Sequence, residues 1–295
     1  MSADPNSVTV SGHSAGCFMA DEMMMVHSES IKGAGLFQCW PYGVLSRPDL
    51  VNENSSAELQ AEVSIGQIAE AEAAGKIDPT SNLANNSVYI FTGGEDDITP
   101  APMQEAMNTV YEHYGVTNLH HVVDPNVDHW FESEVMLPGL KQMFVDLGYA
   151  NDTNDFNELA ADTSNGIWSD FDQTEFVVNQ DFSRYGWDTT GKVFIPNQCN
   201  TKTCKLHISF HSCGSDAATM AERSSYALLG STNDIIMVFP ESYCWGIDDD
   251  NATSSLYGTY ESEYVQSINN MICRLTSSEA NNNCETVDRD EEEND

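Results

Sequence analysis

The tightest constraint in this chain is Gly12-His13-Ser14-Ala15-Gly16, a G-x-S-x-G set between two unlike neighbours. Before it, Ser7-Val8-Thr9-Val10-Ser11 alternates β-branched and hydroxyl residues, the pattern of a strand. After it, Cys17 to Val26 reads as a helix. Strand, turn and helix this close together leave no room for a Cβ at either flanking glycine and force the serine into a strained conformation. Held this way, Ser14 Oγ stands at a helix N-terminus, whose positive end favours developing negative charge. A bare G-x-S-x-G is common in loops, so a base, an orienting acid and oxyanion donors must be found elsewhere in the chain.

Composition narrows the class of partner. The 295 residues suffice for one large domain or two small ones. There are 47 acidic and 11 basic residues, a net charge of −36, which excludes nucleic acid because phosphate binding needs clustered Lys and Arg. The longest apolar runs, such as Ile235 to Phe239, are far too short to cross a bilayer, so no membrane partner is expected. Eight cysteines without a C-x-x-C pair point to disulfides rather than zinc. Four Asn-x-Ser/Thr sequons, at Asn54, Asn85, Asn151 and Asn251, agree with an oxidising, secreted setting. Met1 to Pro5 has neither the basic start nor the apolar core of a signal peptide, so export would need a leader removed beforehand or another route.

Strand and helix patterns alternate along most of the chain. Strands are expected over 31–37, 87–92, 119–123, 175–178, 192–196, 205–210 and 235–239. Helices are expected over 53–75, 102–114, 131–147 with a break at Pro138-Gly139, 217–229 and 257–275. Residues 151–166 read as a polar connecting loop, and 288–295, almost wholly acidic, as a disordered tail. This alternation predicts a single α/β domain over 1–287, with a mostly parallel central sheet and helices on both faces.

The missing chemistry lies in the first half. Asp96 follows the strand ending at Thr92, in Gly93-x-x-Asp96-x-x-x-Pro100, and Asp97 is its unresolved competitor for the acid. His129 ends the loop after the 119–123 strand, whereas His120 and His121 fall within that strand and His27 and His113 on helices. Neutral imidazole takes the serine proton and returns it to the leaving alcohol, and the acid fixes its tautomer. One oxyanion donor is the amide of Ala15. The second usually comes from a loop after an early strand, ahead of the nucleophile. The segment of that type here is Leu206 to Gly214, a strand running into His211-Ser212-Cys213-Gly214. The sheet's opening strands thus come last, and a circularly permuted α/β-hydrolase fold is expected.

These motifs, with Lys32-Gly33-Ala34-Gly35, Trp40-Pro41-Tyr42, Phe171 to Phe176, Cys204 to His207 and Cys244-Trp245, make the chain resemble the circularly permuted, single-domain polyhydroxybutyrate depolymerases. The resemblance spans most of the chain. It implies Ser14, Asp96 and His129 as catalytic residues, Ala15 and Cys213 as oxyanion donors, and Trp245 as a cleft wall. His13 and Trp130, sequence neighbours of nucleophile and base, are further expected substrate contacts. Ser212 stands where the family usually has glycine, and Gly246-Ile247-Asp248-Asp249-Asp250 replaces its further tryptophans. Asp248 to Asn251 lacks the spacing of a calcium loop. Disulfides Cys17–Cys39, Cys199–Cys204, Cys213–Cys244 and Cys273–Cys284 are expected. The function implied is a secreted, monomeric serine esterase on short-chain poly(3-hydroxyalkanoate), a neutral polyester, with neither metal nor cofactor. A feruloyl or acetyl esterase and a catalytically inactive binding protein are the alternatives.

Overall fold

The computed structural model describes residues 3–129, 133–151, 165–178, 186–247 and 258–276. Eight strands form one sheet in the order β4-β3-β2-β1-β7-β8-β6-β5. Their ranges are β1 Ala3–His13, β2 Ile31–Phe37, β3 Ser87–Gly93, β4 Asn118–Asp124, β5 Gly166–Asp172, β6 Thr190–Pro196, β7 Cys204–Phe210 and β8 Ile235–Phe239. From β4 across to β8 every pairing is parallel, while β6 runs antiparallel to both β8 and β5. The first strand in sequence is therefore central, flanked by β2 and by β7 from far along the chain.

The strand sequences explain the two cores. In β3, Val88 and Ile90 face one core while Tyr89 and Phe91 face the other, and in β8 Ile236 and Val238 oppose Ile235, Met237 and Phe239. Apolar residues at successive positions are what a strand covered on both faces requires. One face carries the helices α1 Ala15–Val26, α3 Ala101–His113 and α7 Glu263–Thr276, with α2 Ala57–Ala73 packed on α3. The other carries α4 Ser133–Asp146, α5 Ala217–Arg223 and α6 Tyr226–Asn233. At the centre of that second face the strands turn polar: His207 bonds Thr9 Oγ1 at 2.9 Å and Ser11 Oγ at 2.8 Å, and burial lowers its pKa to about 3. It is a satisfied core imidazole, neutral at pH 7.

Four expected elements differ. The strand expected over 175–178 is a turn: Phe176 N–H donates to Gln173 O, and Val177 buries in the core while Val178 N–H donates to Ser267 on α7. The strand lies earlier, at β5, whose exposed Trp168, Ser169 and Asp170 belong to a sheet edge. Helix α4 runs through Pro138 instead of breaking there, with Gly139 pressed against the Tyr89 ring. The helix expected over 217–229 divides where Ser225 adopts a left-handed conformation, φ 56°. Helix α7 starts at Glu263, and the earlier part of the helix expected from 257 is loop from 258 to 262. Three expected disulfides are formed, Cys17–Cys39, Cys199–Cys204 and Cys213–Cys244. Cys284, Asp248 to Asn251 and the acidic tail lie outside the described residues. Among the described residues no helix is long and apolar enough to cross a membrane.

Helix α1 is buried along its whole length and carries Asp21 and Glu22, each 1% exposed. Tyr111 Oη donates to Asp21 Oδ1 at 2.6 Å, yet burial raises the Asp21 pKa from 3.8 to about 7 and that of Glu22 well above its usual range. Between pH 4 and 7 the unfolded chain gives up the Asp21 proton that the native state retains, so stability falls as pH rises through this window. Asp21→Asn should therefore flatten the decline in melting temperature between pH 5 and pH 8, an effect on the order of a few kcal/mol at the alkaline end. An unchanged slope in thermal melts would refute this.

Candidate active site

Ser14 sits at φ 56°, ψ −122° between β1 and α1, and its N–H donates to Phe37 O at 3.0 Å. A non-glycine residue at positive φ is strained, and here both glycines make it possible. A Cβ on Gly12 would lie 2.1 Å from Gly16 O, and one on Gly16 would lie 2.2 Å from Phe210 O. The elbow is thus wedged against the end of β7 as well as closed on itself.

His129 Nε2 lies 2.8 Å from Ser14 Oγ, and its Nδ1 lies 2.8 Å from Asp96 Oδ2. Asp96 is fixed by its own loop: Thr99 Oγ1 donates to Oδ2 at 2.7 Å, and the N–H groups of Ile98 and Thr99 donate to Oδ1 at 2.9 and 2.8 Å. Burial pushes the Asp96 carboxyl up, but the hydrogen bonds from His129 and Thr99 outweigh it and hold the pKa below the usual value. With the acid ionised, Nδ1 must carry the proton, which leaves an Nε2 lone pair facing the serine hydroxyl. Asp97 lines the same cleft as an exposed residue and does not meet the imidazole. Between the two expected acids, the structure brings Asp96 to His129.

The other histidines have separate partners. His120 pairs with Asp146 at 2.8 Å and His121 with Thr92 at 2.8 Å, both on β4. His13 is buried beside His129, the two ring centroids 5.0 Å apart. Burial, and then the neighbouring His129, lower its pKa to about 4, so it is neutral at pH 7. Its Nε2 meets Gln38 Oε1 at 3.0 Å, and Gln38 Nε2 donates to Asp128 O at 2.5 Å. Gln38 thereby ties the Gly12–Gly16 turn to the loop that carries His129. Neither Gln38 nor Thr99 was expected from sequence. Thr99 had a readable signal, a hydroxyl three residues after an aspartate in a turn; Gln38 had none.

Ser14, Ala15, His129 and Cys213 line a single cleft of about 1010 Å³, with His13 in its wall. Phe18, Trp40, Leu45, Ile98 and Ile247 supply its apolar surface, and Arg223 is a cation on its rim. Trp245 is not part of that wall. Its ring is fully buried, packs edge-on to Phe210 and Trp187, and its Nε1–H donates to His211 O at 2.8 Å. The indole N–H needs a partner when buried, and the backbone of the 211–214 loop provides it, so Trp245 braces the loop from behind. Trp130, the remaining expected contact, lies outside the described residues. Ser212 fits where glycine was expected because the left-handed position of the turn falls on Gly214, φ 71°, and not on Ser212. A smaller groove of about 620 Å³ between β5, β6 and α5 holds the Lys192–Asp170 ion pair and no nucleophile–base pair. Among the described residues no cluster of metal-ligating side chains occurs.

No family model matches the chain. In sequence it is 26% identical over 309 residues to a poly(3-hydroxybutyrate) depolymerase of Delftia acidovorans, covering 93% of this chain and 60% of that protein. It is 21% identical over 267 residues to a polyhydroxybutyrate depolymerase of Talaromyces funiculosus, covering 81% of this chain and 75% of that one. The chain thus spans about three fifths of the first relative's length. The fold matches the crystal structure of a PHB depolymerase from Penicillium funiculosum with a TM-score of 0.75, over 94% of this chain and 97% of that one at 18% identity. A PHB depolymerase structure complexed with an R3HB trimer matches equally, TM-score 0.75 over the same shares of the two chains and at the same identity. The chain is thus similar along most of its sequence to two polyhydroxybutyrate depolymerases, and its fold is that of the two PHB depolymerase structures.

Proposed function

We propose that this protein is a secreted serine ester hydrolase that cleaves short-chain poly(3-hydroxyalkanoate), such as polyhydroxybutyrate or its oligomers, through an acyl-enzyme intermediate. The observation that carries this reading is the hydrogen-bonded series Ser14–His129–Asp96 opening into a half-apolar cleft. Ser14 Oγ adds to the ester carbonyl while His129 takes its proton. The tetrahedral oxyanion rests on the N–H groups of Ala15 and Cys213. His129 then protonates the departing hydroxyl, and a water activated by the same imidazole releases the acyl group. Asp96 stays ionised and holds the ring.

A neutral polyester suits a protein of net charge −36, since nothing in the chain interior of such a substrate is repelled. Three disulfides support an oxidising compartment. The central position of β1, with β7 and β8 beyond it, supports a permuted connectivity within one domain over 1–287. Incubation with amorphous poly(3-hydroxybutyrate) should release soluble 3-hydroxybutyrate monomer or short oligomers, read by mass spectrometry. Ferulate release from feruloyl-arabinose with no polyester product would move the function to the plant-polysaccharide esterases. No hydrolysis of either would leave a binding protein.

A further inference from the structure

Cations are scarce in this chain, and a carboxylate is usually close to hand. Arg47, Lys76, Lys192 and Lys202 each meet one within 3.0 Å, at Asp49, Glu261, Asp170 and Asp234. With 47 acidic residues against 11 basic ones, such pairing is the default. Arg223 departs from it. It is exposed, lines the cleft that holds Ser14 and His129, and makes neither an ion pair nor a hydrogen bond among the described residues. No other Lys or Arg among the described residues lines that cleft.

Local structure places it there. Asp216 caps α5, its Oδ1 accepting the Thr219 N–H at 2.6 Å. Positions 216, 219 and 223 are three and four residues apart, so they share one face of the helix, and all three line the cleft. Seven residues at a rise of about 1.5 Å each carry the charge about 10 Å along the cleft from the cap. A cation in the last turn is also favoured by the helix dipole. The dipole accounts for positive charge at that end of α5, but not for its place on the face turned to the cleft. The aspartates of the cleft are Asp216 itself and Asp97 and Asp128, the sequence neighbours of Asp96 and His129. An anion entering the cleft is therefore repelled by three carboxylates and attracted at one point.

We propose that Arg223 is a subsite for the free carboxylate end of a poly(3-hydroxyalkanoate) oligomer. Such a subsite rests on the polyester reading above and adds to it a preference for short chains with an ionised end. The guanidinium offers a planar fork of N–H donors that fits both oxygens of a carboxylate. The polymer's own chemistry then gives the cleft a direction. The free carboxylate of such a chain lies on the alcohol side of every ester bond in it. The limb of the cleft that ends at Arg223 thus holds the leaving group, and the hydroxyl-terminal fragment becomes the acyl group on Ser14. Cutting at a fixed distance from an anchored end releases free-acid fragments of one length.

The trimer of (R)-3-hydroxybutyrate, as the free acid and as its methyl ester, separates this from general affinity for the chain, because the two differ in the charge of one end. Both are titrated calorimetrically into the Ser14→Ala protein, which cannot cleave them, at about pH 8 and low salt, where screening is weak. The free acid should bind about fivefold more tightly than the ester, the scale of a well-placed exposed ion pair. Adding Arg223→Gln should weaken the acid by at least about fivefold and shift the ester by less than about twofold. Arg223→Lys keeps the charge without the fork and should fall between the two. An ester bound as tightly as the acid before Arg223 is changed, a loss in Arg223→Gln shared equally by both ligands, or no binding of either would overturn the proposal. Failure of the polyester reading shows separately, as no release of 3-hydroxybutyrate from either trimer by the unaltered enzyme.

Discussion

Ser14→Ala should abolish hydrolysis of p-nitrophenyl butyrate, lowering kcat by at least about 10⁴-fold while leaving the fold unchanged. The side chain removed is half-buried in the cleft and its hydroxyl meets His129 Nε2, so little packing is lost with it. Alanine even relieves little of the elbow strain, because the positive φ is imposed by Gly12 and Gly16 closing on each other and on Phe210. Melting temperature should stay within a degree or two of wild type by this reasoning, about the range of a neutral surface change. Burst kinetics of p-nitrophenol in the unaltered enzyme, absent from the variant, would place the acyl group on Ser14. Turnover persisting in the variant would put the nucleophile elsewhere and end the serine-hydrolase reading.

Asp96→Asn should cost about 10³ to 10⁴ in kcat at pH 7, with KM nearly constant. The carboxylate is buried and accepts from His129, from Thr99 Oγ1 and from two backbone N–H groups. An amide in its place must turn its oxygen toward the backbone donors. Its NH₂ then faces Nδ1, which selects the tautomer with the proton on Nε2, where the serine proton has to go. Asp97→Asn is the control: exposed in the cleft and apart from the imidazole, it should alter kcat less than about threefold, within the range of surface changes. A large loss from Asp97→Asn with little from Asp96→Asn would reverse the assignment of the acid.

The site was more legible than the fold around it, for a local reason. Ser14 and Asp96 each follow a strand with period-two or continuous apolar character, His129 follows the shorter apolar signal of Leu119, Val122 and Val123, and their loops are rich in glycine, proline and aspartate. Those signals survive in a single sequence because they act over a few residues. The sheet edge was not legible. Residues 167–172, just past the loop expected over 151–166, show no strand pattern since an edge strand needs no apolar face, whereas Val177 and Val178 resemble a strand but serve as a plug beneath α7. The division of α5 from α6 carries neither glycine nor proline; tertiary packing imposes φ 56° on Ser225. Trp245 illustrates a different limit. Its motif context pointed to the cleft, and only the packing of Phe210 and Trp187 around it shows that the indole turned inward. The pairing of His211 with Glu241 spans thirty residues with no periodic signal between them.

The central place of β1 has a consequence for how the molecule is made. Its partner on one side, β2, follows within a short helix, but its partner on the other, β7, lies almost 200 residues further along. A ribosome releases Ser14, Asp96 and His129 long before the strand that seals their sheet, so the nascent half-sheet presents the backbone of β1 as an open edge. Pairings so distant in sequence slow folding, and the strand that closes the edge also delivers the 211–214 loop. Closure of the β1 edge and delivery of the 211–214 loop to the cleft therefore coincide in one docking event.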